Sequence, residues 1–324
     1  MRVLAVLPGP AGHGVVRHGL AVAGLVADRG VEMTVARTLD ATTGSHDLTH
    51  AQFTDALFGD EITAAADRFV QWARTAPRPL VVTLHDVPGR DGDTARDSRR
   101  RTGYRRVIGS CDAVVVSAAH EARGARLVEG LEPVVVPLPV EQLGTPGPRP
   151  SWADRPSVGV LGFIYPGKGH DRVLRALSGR GVRLVAIGAV SPGHEPLLEE
   201  LRRLADTCGV ELLVTGPLTT AELHAAARAV TVPVAAYTTI GASASLGTWL
   251  ACGRRPLVTT GPYARELETR WPGSLLMDPA GDDIALASAL SRALADPAST
   301  WRTAAPPQPD VAGAHLAVYR SCLS

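Results

Sequence analysis

The chain has 324 residues, with 33 lysine and arginine residues against 32 aspartate and glutamate residues, for a net charge of +1. That balance excludes a field of one sign that would point to nucleic acid or an anionic membrane surface, and 45% hydrophobic content is enough for large cores in two domains. Four scattered cysteines (Cys111, Cys208, Cys252 and Cys322) form no CxxC pair and read as reduced thiols of a cytoplasmic protein.

In chain order, the apolar run "RVLAVLP" (2–8) reads as a buried strand. It is too short for the apolar region of a signal peptide. No run approaches the roughly 18 residues that span a bilayer. The loop "PGPAGHG" follows, in which Gly12 and Gly14 permit close backbone approach and lead into a helix over 15–28. The amide-rich start of that helix suits an anion, and His13 and His18 stand at and just inside it. A lone GxG is equally the mark of a tight structural turn. After a strand at 31–36 and a helix at 61–75, the strand "PLVVTLHD" (79–86) sets His85 and Asp86 at its carboxyl end. A polar pair there is costly to bury unless it satisfies local backbone groups or meets a ligand. The helix over 94–107 is arginine-rich with little apolar face, which argues for a solvated helix or an anionic contact rather than a membrane anchor. Strands "DAVVVS" (112–117) and "PVVVPLP" (133–139) complete the first half.

A break follows, "EQLGTPGPRPSWADRP" (141–156), with four prolines and two glycines. Beyond it come strands at 157–162, 182–188, 210–216, 230–236 and 254–260, separated by helices at 170–178, 195–207 and 220–228. The loop "GFIYPGKGHD" (162–171) holds Lys168, the one lysine beside 32 arginines. The arginines look like the coding bias of a GC-rich genome, which makes the surviving lysine informative. A lysine at a helix N-terminus is disfavoured by the macrodipole unless an anion is also there, and a diphosphate would supply one. A solvated loop lysine is the plainer alternative. In "TTIGASASLGTWLACG" (238–253) small residues open a helix, so that the amides of Ser243, Ala244, Ser245 and Leu246 form an anion cradle, or else Ser243 merely caps an ordinary buried helix.

The alternation of fully apolar strands with amphipathic helices predicts an α/β architecture of two Rossmann-like domains facing across a cleft, with parallel sheets covered on both faces. The expected division is 1–140, a hinge at 141–156, a second domain at 157–300, and a C-terminal segment and helix at 301–324 that can pack back on the first domain. The polar and glycine-rich loops all follow strands, where ligands of such sheets bind.

These motifs, in this order, resemble the GT-B glycosyltransferases of glycosyltransferase family 4, which are retaining and nucleotide-sugar dependent. Residues 12–22, "GHGVVRHGLAV", are similar to that family's "GGVxxHxxxLA"; "LHD", Ser117 with His120, Gly162 with Lys168 and Gly169, Gly241 with "LACGRRPLV", and Glu266 match further motifs over about residues 1–300. The resemblance implies that Lys168 binds the donor diphosphate, with His85 beside the transferred sugar. It assigns Gly12, Gly14, Gly169, Gly188, Ser243, Ala244, Ser245, Leu246, Thr248 and Glu266 to donor binding, and His13, His18, Asp86 and His120 to the acceptor side. It implies no metal and no cofactor beyond the nucleotide sugar as co-substrate; the lack of a membrane-docking face on the helix over 94–107 points separately to a small soluble acceptor, in natural-product or specialised biosynthesis. The sequence departs from the family where a second phosphate-binding arginine aligns with Phe163, and where two glutamates eight apart align with Ile240 and Thr248. Those losses leave open an unusual donor, hydroxyl contacts moved to Ser243, Ser245 and Thr248, or a binding protein that no longer transfers sugar. A nucleotide-sugar epimerase on the same frame is a further alternative, although this loop set is poor in the carboxylates it would use.

Overall fold

The computed structural model describes residues 1–40, 44–88, 94–127, 129–237, 241–278, 282–303 and 308–324. The chain divides into two compact units, residues 1–139 with 308–324 and residues 140–307.

Unit 1 is a six-stranded parallel sheet of β1 (Arg2–Val6), β2 (Glu32–Ala36), β3 (Leu48–Phe53), β4 (Leu80–Leu84), β5 (Ala113–Val116) and β6 (Val134–Val135), in the order β2-β1-β3-β4-β5-β6. Successive residues of a strand face opposite sides of a sheet, and both sides here are apolar. Leu4, Val6, Leu80, Val82 and Leu84 join one core with Phe53, Phe58, Phe69 and Tyr104. Val3 and Val81 join the other, with Val22 and Val26 of α1 (Gly14–Ala27) and Leu316 and Tyr319 of α12 (Val311–Leu323). The remaining helices of this unit are α2 (Asp55–Phe58), α3 (Ile62–Ala73), α4 (Thr94–Ile108) and α5 (Ala119–Ala125).

The strand β3 departs from the sequence expectation, which placed no strand between 36 and 79. Its sequence, "LTHAQF", is half polar, yet all six residues are buried. It lies in the middle of the sheet, pairing with both β1 and β4. Two of its three polar side chains are bonded: His50 meets both Tyr319 and Thr83, and Gln52 meets His50. Partners supplied by a helix some 260 residues later are invisible to a local pattern.

Unit 2 is built from β7 (Ser157–Leu161), β8 (Arg183–Ile187), β9 (Leu212–Val214), β10 (Val232–Ala235), β11 (Leu257–Thr259) and β12 (Leu276–Asp278), all parallel in the order β12-β11-β10-β7-β8-β9. Its helices are α6 (His170–Leu177), α7 (Glu195–Cys208), α8 (Thr220–Ala229), α9 (Ala244–Ala251), α10 (Pro262–Arg270) and α11 (Asp283–Ala295). The stretch 141–156, expected as a hinge, is anchored here. Gly147 donates to the carbonyl of Ala221, and the Arg183 side chain donates to the Trp152 carbonyl and pairs with Asp154. No helix among the described residues is long and apolar enough to cross a membrane.

In each sheet the strand order reverses at one point: between β1 and β3 in unit 1, and between β7 and β10 in unit 2. Loops leaving the carboxyl ends of such a pair diverge and leave a crevice, the usual ligand site of doubly wound sheets. The loops after β1 and β7 carry His13 and Lys168, and the loop after β10 carries Ser243.

Candidate functional site

In unit 2 the loop after β7 is pressed against the end of β10. Gly169, at φ +90°, caps the start of α6, and a β-carbon there would collide with the carbonyl oxygen of Ala236. This close approach carries Lys168 beside Tyr237, one residue further on. The lysine is only 4% exposed. Its Nζ donates to Ser245 Oγ at 2.9 Å and to Tyr237 Oη at 3.1 Å, and stands 4.6 Å from the centroid of the Tyr237 ring. Tyr165 offers a second aromatic face at 5.6 Å. Around the ammonium the hydroxyls close on one another: Tyr237 Oη is 2.9 Å from Ser245 Oγ and 3.2 Å from Ser243 Oγ, and the two serine hydroxyls are 3.2 Å apart.

The arrangement settles the role of Ser243. It occupies the N-cap position of α9, but its hydroxyl makes no cap bond and turns toward Tyr237 instead. The first amides of α9 therefore have no side-chain cap and carry the positive end of the helix dipole.

Among the described residues no carboxylate pairs with this cation. Both hydrogen bonds of Lys168 go to neutral hydroxyls, and residues 223–265 contain no aspartate or glutamate. Burial lowers the imidazole of His170 to about 3, with Lys168 pushing the same way, so this neighbour is neutral at pH 7. Burial would raise the Tyr237 phenol, but the charge of Lys168 and the hydrogen bonds from Ser243, Ser245 and Lys168 outweigh it and lower it from 10.0. A buried ammonium facing only hydroxyls is costly, and an anion supplied from outside would relieve that cost.

The other expected donor residues divide. Gly188 lies against Gly162, where a β-carbon would meet the Gly162 carbonyl oxygen, and its amide donates to Thr215. Leu246 is wholly buried on α9. Thr248 is also buried, and its hydroxyl donates to the Ala244 carbonyl of its own helix. Glu266 pairs with Arg270 at 2.9 Å. Phe163 is exposed, and Ile240 lies outside the described residues. Among the described residues no second cation takes the place of the missing arginine beside Lys168: Arg172, one turn along α6, is held by Asp283, the Ala236 carbonyl and Thr259. The residue that sequence reasoning missed is Tyr237. The rule that picked out His85, a polar side chain at the carboxyl end of an apolar strand, applies to it equally.

In unit 1 His13 is the N-cap of α1 and accepts from the Val15 amide at 3.3 Å. A β-carbon at Gly12 or Gly14 would meet nothing within 4 Å, so the protein's own packing does not demand glycine there. His18 stands edge-on to His85, ring centroids 5.2 Å apart. His85 donates from its amide to the Phe53 carbonyl, accepts at its own carbonyl from the Tyr104 hydroxyl, and places Nε2 at 2.9 Å from Gln52 Oε1. Burial lowers its imidazole to about 3, with His13 acting in the same direction. Asp86 follows in the left-handed region, at φ +54°, with a carboxylate oxygen accepting from Thr54 at 2.9 Å. Strain of this sort at a strand end is a mark of functional sites. His120 lies on the first turn of α5, after the neighbouring strand β5. Thus His13, His18, His85 and Asp86 form one group. Gln52, which sequence reasoning also missed, sits beneath it on β3.

No protein-family model matches the chain. The D-inositol 3-phosphate glycosyltransferase of Mycobacterium tuberculosis is 30% identical over 190 residues, covering 53% of this chain and 38% of that protein's length. Sucrose-phosphate synthase from Thermosynechococcus elongatus superimposes over 100% of this chain and 95% of its own, with a TM-score of 0.73 at 15% identity. HepE of Anabaena, solved with UDP-glucose, covers 100% and 96% with a TM-score of 0.69 at 15% identity. The homologues are glycosyltransferases, and the fold is GT-B. In GT-B terms, Lys168 belongs to the C-terminal Rossmann-like unit, and the histidine group to the N-terminal one.

Proposed function

We propose that the protein is a retaining glycosyltransferase that moves a sugar from a nucleotide-diphosphate donor to a small soluble acceptor. The observation that carries this reading is the buried, carboxylate-free Lys168 at the β7/β10 crevice, ringed by hydroxyls and facing the uncapped start of α9. HepE, a structural neighbour, was solved with UDP-glucose; this supports a nucleotide sugar as the anion.

In the proposed reaction the anomeric C–O bond of the donor breaks and its electron pair goes to the β-phosphate oxygen. Lys168 and the amides of Ser243, Ala244, Ser245 and Leu246 stabilise the charge that builds there, without a metal or further cofactor. The acceptor hydroxyl attacks the anomeric carbon from the side of the departing phosphate, and its proton passes to that phosphate, which gives retention. Gly169 and Gly188 shape the phosphate loop, and Thr248 and Glu266 remain on the donor side. In unit 1, Gly12 and Gly14 leave an open backbone for ligand approach, His85 meets the transferred sugar, and His13, His18, Asp86 and His120 serve the acceptor. A cytoplasmic setting and a role in specialised-metabolite biosynthesis complete the proposal.

The test is a thermal-shift panel of nucleotide sugars at millimolar concentration. A binder present at 100 times its Kd stabilises by about 2.7 kcal/mol. One member of the panel is expected to raise Tm, and Lys168→Ala to remove most of that rise. If no nucleotide sugar shifts Tm, donor binding is wrong; if the shift survives Lys168→Ala, the phosphate role is wrong.

A further inference from the structure

Beneath His85 a chain of hydrogen bonds runs along the face of the unit 1 sheet that α1 and α12 cover. Its members are Gln52 and His50 of β3, Thr83 of β4 and Tyr319 of α12. Gln52 places Oε1 at 2.9 Å from His85 Nε2 and Nε2 at 3.3 Å from His50 Nε2. An amide nitrogen only donates and an amide oxygen only accepts, so each contact fixes the proton on its partner. His50 Nε2 must hold a lone pair, which also accepts from the Thr83 hydroxyl at 2.8 Å. The proton of neutral His50 is then on Nδ1, which donates to Tyr319 Oη at 2.7 Å. At the other end His85 must donate from Nε2, and its Nδ1 is left as the acceptor of the ring. His50, Gln52, Thr83 and Tyr319 are all nearly or wholly buried, so water does not compete for these bonds.

We propose that Tyr319 and His50 are positioning residues: through the amide of Gln52 they set His85 in its Nε2–H form and turn an acceptor nitrogen, Nδ1, to its remaining side. The tautomer of a residue at the strand end is thereby dictated from the C-terminal helix. This would give His85 a fixed lone pair to accept a hydrogen bond from a hydroxyl of the transferred sugar, a consequence that rests on the placement of His85 proposed above.

The chain has two polarities, and removing its far end should reverse it. Without the Tyr319 hydroxyl, His50 Nδ1–H loses its acceptor in a buried site, which favours the Nε2–H form of His50. That form sets an N–H against the Gln52 amide nitrogen, an N–H facing N–H contact that the amide relieves by turning over, so that it presents its oxygen to His50 beside Thr83 Oγ1 and its nitrogen to His85. His85 must then accept at Nε2 and carry its proton on Nδ1.

The experiment is long-range proton–nitrogen NMR on the full chain with 15N-labelled histidine at pH 7, with the His85 signals assigned by their loss in His85→Asn. The wild type is expected to show His85 protonated on Nε2. Tyr319→Phe is expected to make the Nδ1-protonated form the major one, and Gln52→Met to abolish the preference for Nε2. Gln52→Met also supplies the reading if Tyr319→Phe does not fold. A wild-type His85 protonated on Nδ1, or one whose nitrogens are unchanged in both variants, overturns the relay whatever the activity. If the tautomer switches and turnover with the identified donor falls while donor KM holds, both the relay and the role of His85 stand. A switch with unchanged turnover upholds the relay and overturns the placement of His85 at the transferred sugar.

Discussion

The two units follow one plan, a six-stranded parallel sheet with a crevice where the strand order reverses, yet they furnish that crevice in opposite ways. Unit 1 fills it with mutually oriented groups: His18, His50 and His85 are all held well below the ordinary histidine range, first by burial, and Gln52 joins His50 to His85. Unit 2 places a single ammonium among hydroxyls, with no carboxylate paired to it among the described residues. The first arrangement ties its members to one another through the Gln52 amide. The second leaves a buried charge for an anion to balance. The contrast separates a surface made to orient hydrogen bonds from one made to bind charge.

The largest effect expected from breaking this contrast is at Lys168. Lys168→Met keeps the length and removes the charge. Loss of one preorganised donor to a developing anion costs about 10²–10³ in turnover, so kcat/KM should fall by that factor. Stability should move the other way, unchanged or raised by about 1 kcal/mol, because replacing a buried unpaired charge by an apolar side chain relieves desolvation. Paired turnover and urea-denaturation measurements check both signs. A Lys168→Met protein that loses several kcal/mol of stability would show that the lysine holds the fold together rather than a ligand.

The same contrast explains what could be read from the chain alone. Fully apolar strands such as "LVVTL" of β4 and "SVGVL" of β7 announce themselves, and so do the glycine-flanked loops after them. The isolation of Lys168 was visible because composition made it unusual. By contrast β3 and Gln52 were hidden, since "LTHAQF" looks like a strand only once Tyr319 supplies a partner for His50. Tyr237 was hidden for a different reason: its chemistry appears only when the collision-free approach of Gly169 to Ala236 brings Lys168 to it. Local periodicity carries the frame, whereas a site assembled from distant strand ends depends on the packing that joins them.

A second expectation turns on pH. Between about pH 3 and the ordinary histidine value of 6.5, the unfolded chain binds protons that folded His85 and His170 do not. Protons therefore favour unfolding, and stability present above pH 6.5 is lost progressively as pH falls through that window. For the buried His170 the loss is up to about 1.4 kcal/mol per pH unit. Unit 1 carries five histidines shifted in this direction (His13, His18, His50, His85 and His315), with burial first among the causes for each. Unit 2 has His170 and, less buried, His224. Peptide-resolved hydrogen exchange at pH 7 and pH 5, corrected for intrinsic rates, should show unit 1 losing more protection than unit 2. Equal losses would mean that the neutral network of unit 1 is no more acid-sensitive than the cation site of unit 2.

The smallest effect expected is also the most discriminating within unit 2. Tyr237→Phe keeps the aromatic face 4.6 Å from the ammonium and deletes only the hydroxyl shared by Lys168, Ser243 and Ser245. Ser245 still accepts from Lys168 at 2.9 Å, so the cation should remain in place. One hydrogen bond to a charged group contributes about 1.5–3 kcal/mol, but the ammonium can turn its freed proton toward a bound anion. Folding stability of the unliganded protein should therefore fall by about 1–2 kcal/mol, while affinity for a nucleoside diphosphate changes less than tenfold, read by titration calorimetry. If affinity instead collapses as it does in Lys168→Met, the phenol itself contacts the phosphate, and the unit 2 site binds its anion through a tyrosine and a lysine together. The second cation that this chain lacks at Phe163 would then have a neutral substitute at Tyr237.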